Sequence, residues 1–244
     1  MRKRSRRSAL NKENPHWKLN MQFDINRSLL TQTCAKLSEY KKLYWILGGS
    51  GSGKTTICQA LASQFNIPIY DMDAHIYGTY HERFTDEKHP VNKAWANSEN
   101  GMAWLLNMDW ETFNDFHQAA LPEYLDLFME DLASISPNDN LLVDGGLWHP
   151  ALLAEVLPIQ QIICISTEET SSEVWEGNPE RYAMHEMFDY FPESEISWHK
   201  FLEFDAKITE TVFKEAQASG IIIFRRSKTE RIQELSERIA QICC

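Results

Sequence analysis

The sequence predicts an α/β domain built on a doubly wound, five-stranded parallel sheet. Five short apolar runs, at 43–47, 67–70, 141–143, 162–165 and 221–224, lack the polar alternation of a sheet with one wet face. Helical patterns lie between them: 54–65 follows the first run, 196–218 precedes the fifth and stops at Gly220, and 229–242 closes the chain. Strand and helix alternating in this way predict helices on both faces of the sheet.

Two segments exceed what a crossover between strands needs. Residues 75–136 form a helical insert between the second and third strands. Residues 167–195 follow the fourth strand and hold Gly177, Pro179 and Pro192, which interrupt any long helix there.

The 244 residues suffice for one large α/β domain with an insertion, and 43% hydrophobic residues can fill its core. No apolar run approaches the roughly 18 residues of a membrane helix, which predicts a soluble, cytoplasmic protein. Cys34, Cys58, Cys164, Cys243 and Cys244 show no paired metal spacing, as expected of reduced thiols in a cytosol-like compartment.

The net charge of −11 is unevenly spread. Residues 1–20 carry a net +6 and the remainder −17. A body that acidic repels polyanions and argues against nucleic acid as the main substrate. Residues 1–30 read as a flexible basic tail. It admits three roles: a nuclear-import patch, a nucleic-acid arm, or a leader ahead of Met21.

The segment "GGSGSGKT" fits G-x-x-x-x-G-K-[ST] with Gly48, Gly53, Lys54 and Thr55, between an apolar strand and a helical pattern. Gly48, Gly49, Ser50, Gly51, Ser52 and Gly53 form a loop whose backbone N–H groups can face phosphates, and Lys54, Thr55 and Thr56 open the helix behind it. Lys54 suits the β- and γ-oxygens of ATP, and the Thr55 hydroxyl suits Mg²⁺.

On this loop and its flanking strand and helix, the span 41–244 resembles the P-loop small-molecule kinases of the nucleoside, shikimate, gluconate and adenylate kinase group. The resemblance implies a substrate-binding insert (75–136), an arginine-bearing lid (167–195), and ATP with Mg²⁺ as cofactors. "YDMDAH" places Asp71 and Asp73 at the carboxyl end of the second strand, on one side of it if strand geometry persists. The pair resembles the Asp-x-Asp of shikimate kinase, in which one carboxylate serves the metal and the other the acceptor hydroxyl; the competing reading is a turn capped by Asp side chains. His75 is a further candidate facing the acceptor, with a surface or structural role as the other reading. Asp144 in "LLVDGG" resembles the Walker B carboxylate; it could equally cap the helix near Pro150. The resemblance gives Arg181, the single Arg between Arg83 and Arg225, the lid's role against phosphoryl charge, with pairing to Glu173, Glu176 or Glu180 as the alternative. It also sets the loop after the fifth strand against the adenine, where Arg225 would stack; Arg225 and Arg226 as a solvated pair is the other reading.

The insert holds three basic residues, Arg83, Lys88 and Lys93, against eleven acidic ones, and it is dense in aromatics. Acceptors bearing phosphate or carboxylate are gripped by arginines. The insert therefore points to a neutral or cationic polyhydroxyl acceptor such as a nucleoside, sugar or aminoglycoside, unless the aromatics are simply helix core. The expected activity is ATP- and Mg²⁺-dependent phosphorylation of a hydroxyl on a small molecule. The rivals are a nucleoside monophosphate kinase, a nucleotide-dependent switch without an acceptor, and a polynucleotide kinase.

Overall fold

The computed structural model describes residues 22–243. In chain order its elements are α1 (Arg27–Leu37), β1 (Leu43–Gly48), α2 (Lys54–Phe65), β2 (Ile69–Asp71), α3 (Met72–Ala74), a π-helical turn (His75–Thr79), α4 (Pro90–Ala96), α5 (Gly101–Leu106) and α6 (Trp110–Leu132). There follow β3 (Leu141–Asp144), α7 (Pro150–Leu153), β4 (Ile162–Thr167), α8 (Ser171–Glu176), α9 (Tyr182–Met187), α10 (Ser194–Ala218), β5 (Ile222–Arg226) and α11 (Ile232–Cys243). The five strands form one parallel sheet in the order β2-β3-β1-β4-β5. Among the described residues no helix is long and apolar enough to cross a membrane. Cys34 is exposed, and Cys58, Cys164 and Cys243 are buried.

Alternation along each strand divides the core in two. Leu43, Trp45, Leu47, Leu141, Val143, Ile162 and Cys164 face one layer, filled by α1, α6 and α10. Ile46, Leu142, Ile163, Ile165 and Phe224 face the other, filled by Ile57 and Leu61 of α2 and Leu235 and Ile239 of α11. Apolar residues on both faces explain the unalternating runs in the sequence.

Three expected boundaries are corrected. The second strand begins at Ile69 because Pro68 has no N–H for the ladder; its carbonyl instead accepts from Leu142 N at 3.0 Å. The ordered chain starts well before residue 41, and the tail does not extend to residue 30. Asn26 caps α1 by accepting from Leu29 N, and Leu29, Leu30 and Leu37 are buried. The Phe23 ring also lies 5.4 Å from Phe116 in α6. The charge-rich part of the expected tail, residues 1–21, lies outside the described residues. Finally, the fifth strand runs on through Arg226 by pairing with Ser166 and Thr167, and the closing helix starts at Ile232 after a turn from Ser227 to Glu230.

The insert is helical, and its aromatics are mostly core. Tyr80, Phe84, Trp95, Phe113, Phe116, Tyr124 and Phe128 are buried, whereas Tyr77 is exposed. Glu123 of α6 braces the start of α4, accepting from Val91 N at 3.0 Å and from Asn92 N and Nδ2 at 2.8 Å. Burial pushes this carboxyl up to about 7 against those bonds.

His117 of α6 is buried against Phe113, Phe116 and Trp148, and its Nε2 has no hydrogen-bond partner among the described residues. Burial, and after it the nearby His149, holds its pKa well below the usual histidine value. Below about pH 6.5 the unfolded chain therefore takes up a proton that the folded chain refuses, and stability falls as the pH drops. His117→Leu is expected to lose less melting temperature than the wild type on going from about pH 7 to pH 5. An equal loss in both proteins would contradict the assignment.

Candidate phosphate-binding site

The loop 48–53 leaves the carboxyl end of β1, the central strand, and turns directly into α2 at Gly53. Ligands of doubly wound sheets bind at this edge. Lys54, Thr55 and Thr56 occupy the first turn of α2, where backbone N–H groups have no intrahelical acceptor and the helix presents positive potential.

The register of the sheet brings the acidic residues to the same edge. Asp144 ends β3 between Ile46 of β1 and Asp71 of β2. Its side chain is buried and accepts from the Thr55 hydroxyl, while Oδ1 has no partner among the described residues. It therefore serves neither as a cap for α7 nor as a surface charge. Asp73 accepts from the backbone N–H of Gly146 and lies beside Lys54. Gly145, at φ +66°, makes this approach possible: a Cβ there would sit 2.6 Å from Asp73 Oδ2 and 2.9 Å from Lys54 Cε.

Burial raises the pKa of both carboxyls. Lys54 opposes that rise in each, and the proximity of Asp73 adds to it for Asp144. Two carboxyls held near each other, short of water, create a site that an added positive charge relieves.

The expected strand geometry across Asp71 and Asp73 does not hold. β2 ends at Asp71, whose side chain accepts from Ala74 N at 2.9 Å and starts the helical turn α3. The helical turn carries Asp73 to Lys54 and Gly146. Asp71 thus takes the capping role that its residue type also allows, and Asp73 is the carboxylate at the loop lysine. His75 is held elsewhere: its ring stacks on Tyr70 at 4.2 Å and its Nδ1 is 3.0 Å from Thr79 Oγ1.

The segment 167–195, expected as a lid, consists of short helices, as its Gly and Pro residues predict. Val174 of α8 lies directly against Gly51 of the loop. Between loop and lid is a cleft of about 330 Å³ lined by Lys54, Thr55, Thr56, Asn178, Arg181 and Arg226, among others. Two of the expected Arg181 partners are engaged elsewhere. Glu173 binds Lys228 at 2.8 Å, which with the bonds from Thr170 pulls its carboxyl down to about 2, and Glu176 accepts from Trp198 Nε1 at 3.3 Å. Arg181 lies over the Trp175 ring, 4.7 Å from its centroid.

The continuation of β5 separates Arg225 from Arg226. Neighbouring strand residues point to opposite faces. Arg225 turns to the α10 face, 5.3 Å from the Phe213 centroid, whereas an Nη1 of Arg226 comes within 3.0 Å of where a Cβ on Gly53 would stand. Arg226 is thus the arginine at the loop, and only a correct endpoint for β5 could have selected it from sequence. For a triphosphate bound at this loop, Arg226→Ala is expected to weaken its binding about tenfold, the loss of one charge-assisted contact, while Arg225→Ala leaves it within about twofold. Calorimetric titration of both variants checks this; the reverse ranking would overturn the placement.

No protein-family profile matches the chain, and no curated protein does. Among solved structures, the crystal structure of TT1252 from Thermus thermophilus is similar at a TM-score of 0.42 and 15% identity, over 82% of this chain and 97% of that one.

Proposed function

We propose that this protein is an ATP- and magnesium-dependent phosphotransferase of the P-loop kinase kind, acting on a hydroxyl of a small molecule. The observation that carries the reading is the convergence of Lys54, Thr55, Asp73 and Asp144 on the loop at the centre of the sheet's carboxyl edge, beneath a segment bearing Arg181. A phosphate-binding loop alone is compatible with a switch. Asp73 beside the loop lysine supplies what a switch does not need, a carboxylate able to accept the proton of an acceptor hydroxyl.

The residues fit a magnesium ion. Asp144 offers a buried carboxylate oxygen without a partner, and Thr55 offers its hydroxyl. A magnesium ion held here would share its shell with phosphate oxygens and water. When bound, magnesium neutralises charge on the triphosphate. In this reading Lys54 and Arg181 stabilise charge on the transferring group, Thr55 and Asp144 hold the metal, and Asp73 orients the acceptor and takes its proton.

A neutral or cationic acceptor is the reading we favour, on a revised basis. The buried aromatics support the core rather than a sugar platform. Two of the insert's three cations, however, are engaged: Arg83 with Glu130 at 3.2 Å and Asp131 at 2.8 Å, and Lys88 with Asp126 and Glu130. That leaves the insert poorly equipped to grip an anionic acceptor. ADP release measured over a panel of nucleosides, sugars, aminoglycosides and nucleoside monophosphates tests this. Turnover with a neutral or aminated polyol is expected; turnover confined to a monophosphate would establish the nucleotide-kinase alternative.

A further inference from the structure

The side of the loop away from α2 rests on α10. The Ser50 hydroxyl donates to Asp205 Oδ1 at 2.6 Å. One helical turn further along, Thr209 meets the loop again: a Cβ on Gly49 would lie 2.3 Å from Thr209 Oγ1. Asp205 is only 6% exposed, and its Oδ2 has no hydrogen-bond partner among the described residues. One turn in the other direction, Phe201 packs on Trp175 of the lid segment at 4.9 Å, and Trp198 packs on Phe188 at 5.4 Å. Residues 201, 205 and 209 share one helix face. A single stripe of α10 thus touches the lid aromatics, Ser50 and Gly49 in succession.

Burying a carboxylate is costly without partners, and a carboxylate beside a triphosphate adds repulsion. Apolar packing against α10 would avoid both costs. What Asp205 provides that an apolar residue cannot is a fixed acceptor for Ser50. The need for one follows from the loop's composition: Gly48, Gly49, Gly51 and Gly53 surround Ser50, so little else in the covalent chain restricts this stretch. We propose that Asp205 is a positioning residue of the phosphate loop, holding Ser50 so that the loop is preorganised for the triphosphate and tied to the helix that carries the lid contacts. The proposal rests on the phosphate-loop reading above. Releasing Ser50 lowers the fraction of molecules with a binding-competent loop, and apparent affinity falls by that fraction.

The test is a double-mutant cycle on the full chain, with the dissociation constant of ATP in the presence of magnesium measured by calorimetry well below each variant's melting temperature. Ser50→Ala and Asp205→Ala are each expected to weaken binding about tenfold, and the double variant no more than the weaker single, because both remove one interaction. Asp205→Asn keeps the acceptor oxygen, loses only the charge, and is expected to bind within about threefold of the wild type. A structural role for Asp205 alone would lower melting temperatures and leave these constants unmoved, which would overturn the proposal. Additive losses, or Asp205→Asn as weak as Asp205→Ala, would overturn it too. Should Asp205→Ala fail to fold, Ser50→Ala against Asp205→Asn retains the contrast: loss in the first and retention in the second is required. A wild-type protein that binds no ATP would remove the phosphate-loop reading itself, an outcome distinct from binding that the variants do not perturb.

Discussion

Asp73→Asn is expected to reduce turnover with the true acceptor by roughly 10²–10⁴-fold, the range usual for losing a general base. The same substitution is expected to leave the melting temperature of the ligand-free protein unchanged or raised. Burial holds the Asp73 carboxyl above its ordinary pKa even with Lys54 alongside, so at neutral pH the charged form is a net cost to the fold. The sign follows from linkage: an acid whose folded pKa is raised stabilises the fold least when it must be ionised, above its unfolded pKa near about 4. An amide of the same shape removes that cost and also the proton acceptor. Melting temperature and turnover measured on one sample separate the roles. Lost turnover in an undiminished fold supports catalysis, whereas a lowered melting temperature with normal turnover assigns Asp73 a structural part only.

Lys54→Ala is expected to weaken ATP binding about tenfold to a hundredfold, the value of one charge-assisted contact to phosphate. Removing the ammonium also leaves Asp73 and Asp144 without the cation that moderates their burial. Ligand-free stability should therefore fall as well, the opposite of the effect at Asp73. Paired denaturation and titration experiments check both directions. A variant with full ATP affinity would show that the lysine does not reach the triphosphate.

The sheet was legible because its strands are buried on both faces and so read as uninterrupted apolar runs, from 43–47 to 221–224. The loop was legible because its glycines, lysine and threonine stand at fixed spacing between a strand and a helix. What escaped was governed by backbone details a few residues long. Asp71 and Asp73 are two apart, and the expectation that they share a side assumed an extended chain; a helical turn capped by Asp71 itself separates them. Arg225 and Arg226 face opposite sides of the sheet because two more residues joined β5 than the apolar run implied. Phe23 and α1 were hidden by an adjoining basic segment, although Leu29 and Leu30 carry the apolar signal of a packed helix. The Ser50–Asp205 contact spans 155 residues of sequence and had no local signature. The insert's aromatics were ambiguous for a general reason: a buried ring and a ligand platform use the same residues.

In the proposed function, the loop 48–53 with Lys54 and Thr55 binds a nucleoside triphosphate with magnesium. Titrating the wild-type protein with ATP, with and without magnesium, while following its thermal unfolding tests this most directly. At an ATP concentration about a hundredfold above the dissociation constant, binding linkage contributes about 2.7 kcal/mol, a rise of roughly 5–10 °C for a domain of this size. A rise of that order is expected, larger with magnesium than without it. No shift at millimolar ATP with magnesium, in protein that unfolds cooperatively, would contradict it.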